Sequence, residues 1–203
     1  MNTKALAVGF AIAATAAFAL SLAWRPGTPG REAAPGGGPA PAIGGPFTLV
    51  DGSGRTVTDA DFRGRAIVVY FGYSFCPDVC PTTLQIMARA IDLLGADGEA
   101  VVPVFITVDP ARDTPAVVGA YVANFHPRMV GLTGSAEQVE AAAKAYKVYY
   151  AKAETEAAAG SDEYLMDHSS IIFLIGPDGR YLDHFTGGTG AEQLAAGLRA
   201  HLG

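Results

Sequence analysis

The chain has 203 residues, of which half are apolar, and it carries a formal net charge of −6 at pH 7. The part that follows a glycine- and proline-rich stretch near the N-terminus is long enough for one well-buried core and too short for two domains of ordinary size. That part contains no cluster of basic residues, and binding to nucleic-acid phosphates requires a face of Lys and Arg side chains. The composition therefore argues against a nucleic-acid partner.

The N-terminus predicts a membrane segment. After a stub at residues 1–4, residues 5–24 carry no charge, and as a helix they would extend roughly 30 Å, enough to cross the hydrocarbon core of a bilayer. Trp24 and Arg25 at its end are typical of an interfacial anchor. A cleaved signal peptide is the alternative, since Ser21-Leu22-Ala23 resembles a cleavage site, but its apolar region is usually shorter, about 7–15 residues. We therefore favour an uncleaved transmembrane helix.

The segments that follow predict an exported domain on a tether. Residues 25–46 are rich in Gly and Pro and show no apolar periodicity, which indicates a flexible linker. Residues 47–203 then form the folded domain. Because no Arg-rich transit peptide precedes the anchor, we expect a single pass through a bacterial inner membrane, with the domain in the periplasm.

Three short apolar runs in the domain predict buried strands, at Ala66–Tyr73, Val101–Val108 and Ser169–Ile175. Each is rich in β-branched and aromatic residues and lacks the alternation of a half-exposed strand, which is typical of a sheet covered on both faces. The sequence of residues 176–179, Gly-Pro-Asp-Gly, then predicts a turn into a last strand near Tyr181–Phe185.

Helical patterns separate these strands. An apolar stripe predicts a helix over Pro81–Leu94. Thr114, which precedes a proline, and the pair Ser135 and Gln138 predict two further helix starts. Strand and helix alternate and are followed by a hairpin and a terminal helix. This order predicts an α/β fold, specifically a thioredoxin-like α/β sandwich, although the pattern alone fits other α/β folds.

The only two cysteines of the chain, Cys76 and Cys80, are separated by three residues, and each precedes a proline. A residue before proline disfavours helical torsion angles, so both should lie on the loop after the first buried strand, with Pro81 starting the helix. The positive end of that helix would lower the pKa of both thiols and favour the thiolate, which is both the nucleophile and the metal ligand. A structural disulfide is the plainer alternative, although it would close only a very small loop.

His168 is the candidate third group, because it opens the predicted strand that follows it and so lies at a sheet end. Two thiolates and an imidazole would bind one copper ion, being soft enough for Cu(I) and adequate for Cu(II), and zinc would accept them too. The other histidines, His126, His184 and His201, are interpreted as surface or hydrogen-bonded residues. Met166 is interpreted as a packing residue rather than a thioether ligand.

Three strings carry a resemblance to a known family: GYSFCPDVCP over Gly72–Pro81, FITVDPARDTP over Phe105–Pro115 and YLMDHSSIIFLIGPDGRYLDHF over Tyr164–Phe185. Together they closely resemble the Sco/SenC family of copper-binding proteins, and the resemblance covers nearly all of residues 47–203. It implies a thioredoxin-like domain that handles copper during assembly of the CuA centre of cytochrome c oxidase. The implied partners are the CuA subunit and a copper donor protein.

The resemblance also implies the ligands. In that family the two motif cysteines and the histidine of the Asp-His-Ser/Thr motif bind copper, and those positions are Cys76, Cys80 and His168 here. Ser74-Phe75 departs from the Thr-His pair that is common in relatives, but that histidine is not one of the three ligands.

The residues before the second predicted helix receive a structural interpretation. Asp113 and Thr114 are assigned to helix capping. Arg112 is assigned to an ion pair, with no functional role.

Two functions follow as alternatives. The first is a membrane-tethered copper metallochaperone that passes its ion to the CuA subunit by ligand exchange and is not primarily an enzyme. The second is a thiol–disulfide oxidoreductase that uses Cys76 and Cys80 to reduce the cysteines of a partner. Against the second, the spacing is CxxxC rather than CxxC, and a histidine has no part in simple exchange. The sequence leaves open which oxidation state of copper is delivered.

Overall fold

The computed structural model describes residues 43–153 and 164–202. The predicted stub, the transmembrane helix at residues 5–24 and most of the linker at 25–46 lie outside them. Among the helices that are described, none is both long and apolar enough to span a bilayer. At the start of the described chain Ile43 already packs against the core, and the Gly44 N–H donates to Ala145 O at 3.0 Å.

The described residues form nine strands and four α-helices. The strands are β1 (Thr48–Asp51), β2 (Thr56–Thr58), β3 (Ala66–Gly72), β4 (Val101–Thr107), β5 (Val130–Thr133), β6 (Tyr150–Lys152), β7 (Met166–His168), β8 (Ile171–Ile175) and β9 (Tyr181–Thr186). The helices are α1 (Val79–Leu94), α2 (Pro115–Ala123), α3 (Ala136–Ala145) and α4 (Ala191–Leu202). Short 3-10 helices lie at Asp59–Phe62 and Gly95–Ala100.

Seven of the strands form one mixed sheet in the order β2-β1-β5-β4-β3-β8-β9. At its centre β3 runs parallel to β4, with Ala66 opposite Val101, and β8 lies antiparallel on the other side of β3. Every residue of β3 and β4 is buried, so the sheet is covered on both faces. Helices α1 and α4 pack against each other, whereas α2 packs on β5 and β1, and α3 packs on β1. This architecture is the predicted thioredoxin-like α/β sandwich.

The three predicted buried strands are confirmed, with ends that differ by one or two residues. Strands β3 and β4 end at Gly72 and Thr107, one residue earlier than predicted, and β8 begins at Ile171, two residues later. The helix starts predicted at Thr114 and Ser135 are also confirmed, because each hydroxyl accepts a backbone N–H of the first turn.

Helix α1 begins earlier than the sequence predicts, at Val79 rather than Pro81, so Cys80 lies in its first turn and not on the preceding loop. The N–H of Thr82 donates to Asp78 O at 3.2 Å and closes that turn. Proline is tolerated there because the first N–H groups of a helix have no intrahelical partner. The bias of a pre-proline residue against helical torsion angles is only a preference, and in this turn the helix overrides it.

His168 ends a short strand rather than opening a buried one, which corrects the prediction. It is the last residue of β7, which pairs with β6 in a separate two-stranded sheet, with Tyr150 opposite His168. Ser169 then turns back to Tyr149, since its N–H donates to Tyr149 O at 2.9 Å and its hydroxyl accepts from Tyr149 N at 3.1 Å. These bonds continue the pairing of the two short strands by one residue, so Ser169 belongs to their hairpin and not to the buried strand that its apolar neighbours predict.

Gly72, the last residue of β3, has no space for a side chain. A Cβ atom there would lie 2.8 Å from Cys80 Sγ and 3.0 Å from the Phe105 ring. We expect Gly72→Ala to lower the free energy of unfolding by about 1–3 kcal/mol, because packed neighbours must move. Gly188→Ala is the control, since a Cβ there would meet no atom within 4 Å. Urea denaturation measures both variants, and equal stabilities would contradict this packing.

Candidate metal centre

The two cysteines flank the start of α1. Cys76 lies on the loop after β3, as predicted, and its N–H donates to Tyr73 O at 3.3 Å. Cys80 lies in the first turn of the helix, and its N–H donates to Cys76 Sγ at 3.4 Å. Both thiols are free, and the exposed fraction is 8% for Cys76 and 0% for Cys80. The pair is therefore a dithiol in which Cys76 is the more accessible sulfur.

His168 reaches the cysteines from the separate hairpin of β6 and β7. Its Nε2 lies 3.2 Å from Cys80 Sγ, and its Nδ1 lies 3.3 Å from Ser169 O. The tautomer with its proton on Nδ1 would donate to that carbonyl and would free the Nε2 lone pair for a metal ion, as ligation requires. The rings of Tyr70 and Tyr73 contact the imidazole edge-on, with centroids 6.0 and 5.9 Å away.

Together these side chains form a compact donor set. The two sulfurs and the imidazole nitrogen all lie within 4.8 Å of one another. Within residues 43–153 and 164–202, no other three His, Cys, Asp or Glu side chains come together closely enough to hold a metal ion. Two ligands bonded to one metal ion at about 2.0–2.3 Å lie at most about 4.6 Å apart, so a single ion fits with little movement. The structure thus brings together the three residues that the sequence singled out, Cys76, Cys80 and His168.

The two thiols have opposite acidities. A hydrogen bond from Cys80, helped by His168 and by the N–H groups of Asp78 and Cys80, lowers the pKa of Cys76 against the opposing effect of burial. The same contact with Cys76, together with burial, raises the pKa of Cys80. The prediction of two acidic thiols is therefore wrong for Cys80, because its complete burial beside a thiolate outweighs the effect of the helix N-terminus. Cys76 is therefore the sulfur that ionises first.

Asp113 anchors the cysteine loop. Its buried carboxylate accepts from the Ser74 N–H at 3.0 Å, from the Ser74 hydroxyl and from the Thr107 hydroxyl at 2.5 Å. Charged acceptors form the stronger hydrogen bonds, so the loop after β4 holds the loop after β3 firmly. The prediction that Asp113 caps α2 is wrong, and Thr114 is the N-cap. The sequence signal for this role was that Asp113 lies in the loop after a buried strand. Because parallel strands present their carboxyl ends at one edge of a sheet, this loop lies beside the loop after β3.

The other histidines lie outside the donor set. His126, His184 and His201 each have a hydrogen-bond partner outside that set, between 2.6 and 3.2 Å away. Met166 is 9% exposed at the start of β7 and packs in the core. These contacts agree with the interpretation of the three histidines as hydrogen-bonded and of Met166 as a packing residue.

The sequence also matches a known family. Residues 36–203 match the family model described as SCO1/SenC. The mitochondrial SCO2 homolog of Bos taurus is 42% identical over 160 residues, which cover 78% of this chain and 59% of that protein. The mitochondrial SCO1 homolog of Homo sapiens is 39% identical over 164 residues, which cover 80% of this chain and 54% of that protein. The chain thus spans less than two thirds of the length of these curated relatives.

Solved structures share the fold. ScoI of Arabidopsis thaliana, with copper bound, superposes with a TM-score of 0.74 at 40% identity, over 79% of this chain and 98% of that one. ScoI of Bradyrhizobium japonicum, also with copper bound, gives a TM-score of 0.71 at 39% identity, over 78% of this chain and 99% of that one. In both cases the match covers nearly the whole solved chain.

The asymmetry of the thiols predicts which cysteine reacts first. At pH 6, more than about two units below the pKa of an ordinary thiol, we expect iodoacetamide to label Cys76 much faster than Cys80, because the pKa of Cys76 is lowered and Cys76 is the more accessible. Peptide mass spectrometry of the reduced, metal-free chain measures both rates. In the urea-unfolded control both cysteines should react equally slowly. Faster labelling of Cys80 than of Cys76 in the folded chain would contradict the charge assignment.

Proposed function

The chain belongs to the SCO1/SenC family, and from this starting point we propose that it is a copper metallochaperone for cytochrome c oxidase. Its domain binds one copper ion through Cys76, Cys80 and His168 and passes that ion to the CuA subunit. The observation that carries the proposal is the convergence of the three donor atoms within 4.8 Å of one another.

The chemistry of the donors supports copper as the cargo. Thiolate sulfur is a soft ligand that favours Cu(I), and an imidazole nitrogen extends the set to Cu(II). Zinc would accept the same donors, usually with water as a fourth ligand. Copper is preferred because the relatives from A. thaliana and B. japonicum hold copper in their structures.

Ligand exchange accounts for delivery. Cys76 is the more accessible of the two cysteines and the one whose pKa is lowered, so a thiolate or imidazole of the partner approaches the ion from its side. Cys76, Cys80 and His168 then leave the ion one by one as ligands of the partner replace them, and no electron transfer is needed. A disulfide between the cysteines would remove both sulfur donors, so only the reduced chain carries copper.

Exposed apolar side chains beside the donor set suit contact with a partner protein. Phe75 and Val79, next to the cysteines, are 56% and 39% exposed, and Tyr149 and Leu165, near His168, are 64% and 46% exposed. Large apolar groups left in water are typical of interaction sites. We propose that the CuA subunit, and the copper donor protein before it, contact the domain over this surface.

The tether completes the proposed function. Residues 5–24 would hold the chain in a bacterial inner membrane, with the domain in the periplasm. The linker at residues 25–46 would let the domain move between its partners, since an extended chain spans up to about 3.3–3.6 Å per residue. The copper donor and the CuA subunit would then be reached without release from the membrane.

Copper titration tests the proposed ligands. The reduced full chain in detergent should bind one equivalent of Cu(II) and show thiolate-to-copper charge transfer in the visible spectrum. We expect Cys76→Ser and Cys80→Ser to weaken and shift that band, because each removes one of the two sulfur donors. His168→Ala should bind Cu(II) much more weakly, beyond the about 10–100-fold loss typical of changes outside the ligand shell.

The control for this titration is His184→Ala, which removes an imidazole bonded to Tyr181 rather than to the cysteines. It should match the parent in visible absorption and in EPR. If His168→Ala held Cu(II) as tightly as the parent, His168 would not be a ligand. Immediate oxidation of the dithiol with no copper bound would overturn the metallochaperone proposal.

A second function, reduction of a partner's disulfide, is favoured by the asymmetry of the thiols. The Cys76 thiolate would attack one sulfur of that disulfide, and Cys80 would then displace the partner from the mixed disulfide. Two electrons pass from the dithiol to the partner, whose cysteines leave as thiols, and the Cys76–Cys80 disulfide remains. The cysteines of the CuA subunit before metallation are the proposed substrate.

Trapping of the mixed disulfide tests this second function. With oxidised insulin as substrate, Cys80→Ser should accumulate an adduct at Cys76, whereas Cys76→Ser should form none, as seen by non-reducing electrophoresis. We expect slow turnover by the parent, because the raised pKa of Cys80 makes it a poor resolving nucleophile. Turnover as fast as that of a thioredoxin would make disulfide reduction the main function.

A further inference from the structure

Arg112 lies between the segment that carries the cysteines and the segment that carries the histidine. Its guanidinium carbon is 3.7 Å from the ring centroid of Tyr164, 4.7 Å from that of Phe75 and 5.7 Å from that of Tyr73. Tyr73 and Phe75 precede Cys76 on its loop, and Tyr164 precedes β7. A planar cation that stacks on aromatic faces is well suited to join these rings.

Arg112 and its ion-pair partner, Asp109, both form hydrogen bonds with Tyr164. The Arg112 guanidinium donates from Nε to the Asp109 carboxylate and from Nη1 to Tyr164 O at 2.8 Å. The Tyr164 hydroxyl in turn donates to Asp109 Oδ1 at 2.7 Å. The exposed fractions of the two charged side chains are 15% and 4%, so solvent screens the pair weakly. Tyr164 is therefore held by its ring, its carbonyl and its hydroxyl at once.

This attachment is one of the contacts that hold the hairpin carrying His168, beside the packing of Met166 in the core and the contacts of Tyr70 and Tyr73 with the imidazole. Within the described chain β6 and β7 pair with each other and not with the seven-stranded sheet. The end of β7 is connected to the large sheet through Ser169 and the following residue, which lead into β8. The opposite end, at Tyr164, is joined to the cysteine side by the contacts of Arg112 and Asp109.

We propose that Arg112 is a positioning residue that holds His168 within bonding distance of the cysteine sulfurs, and that it thereby sets the affinity of the site for Cu(II). The proposal rests on the proposed function. Cu(II) gains from the imidazole nitrogen, whereas Cu(I) is satisfied by the two thiolates. Loss of Arg112 should therefore weaken Cu(II) binding and leave Cu(I) binding nearly unchanged.

The different effects expected on Cu(II) and Cu(I) binding are tested by measuring both affinities of the reduced full chain in detergent. For Arg112→Ala we expect the Cu(II) dissociation constant to rise about 10–100-fold, the range typical of residues that orient a ligand, with little change for Cu(I). Arg112→Lys keeps the charge but not the forked donor, so it should fall between the parent and Arg112→Ala. In a His168→Ala background, Arg112→Ala should cause no further loss of Cu(II) affinity, because it acts through the histidine.

Lys152→Ala is the matched control. The Lys152 ammonium also lies over the Tyr164 ring, at 4.0 Å from its centroid. Lys152 belongs to β6, so this contact lies within the hairpin and does not connect it to the cysteine loop. It should leave both copper affinities unchanged. Thermal unfolding of every variant checks that the fold is retained.

A metal-free measurement tests the same inference without copper. In the reduced, metal-free parent the His168 ring should give nuclear Overhauser contacts to the rings of Tyr70 and Tyr73, and these contacts should weaken in Arg112→Ala. Unchanged contacts would overturn the inference. Equal losses of Cu(I) and Cu(II) affinity, or a further loss in the His168→Ala background, would overturn it too. Absence of copper binding by the parent would instead refute the proposed function, while the ring contacts still decide the role of Arg112.

Discussion

The contact between Cys80 Sγ and His168 Nε2, 3.2 Å long, joins two groups that are 88 residues apart in the chain. It depends on two separate pieces of structure. Strand β3 and helix α1 place the cysteines, and the hairpin of β6 and β7 places the histidine. A metal ion bound by all three donors would hold these pieces together, so the geometry of the metal centre and the packing of the hairpin are coupled.

The two halves of the donor set are held by different contacts. On the cysteine side Gly72 leaves space for Cys80 Sγ, and the buried carboxylate of Asp113 fixes the loop through Ser74 and Thr107. On the histidine side the rings of Tyr70 and Tyr73 contact the imidazole, and Met166 packs in the core. Arg112 adds a contact with Tyr164 at the far end of the hairpin. The geometry of the donor set therefore depends on the packing of both pieces.

Local signals account for what the sequence predicted. Continuous apolar runs identified the buried strands, cap residues identified the starts of α2 and α3, and three motif strings singled out the donors that the structure brings together. The sequence could not predict what depends on distant contacts. Strands β6 and β7 are too short to show a pattern. The pKa of Cys80 was misjudged because its complete burial beside Cys76 is a tertiary effect, and the same holds for the role of Asp113. The ion pair predicted for Arg112 is confirmed, with Asp109 as its partner.

X-ray absorption at the copper edge of the copper-loaded full chain tests the three-donor copper centre, because it counts the atoms bonded to the ion. The ion should have two sulfur neighbours and one imidazole nitrogen, with the imidazole signal lost in His168→Ala and one sulfur lost in either cysteine variant. A shell of nitrogen and oxygen alone, or one that His168→Ala leaves unchanged, would contradict it.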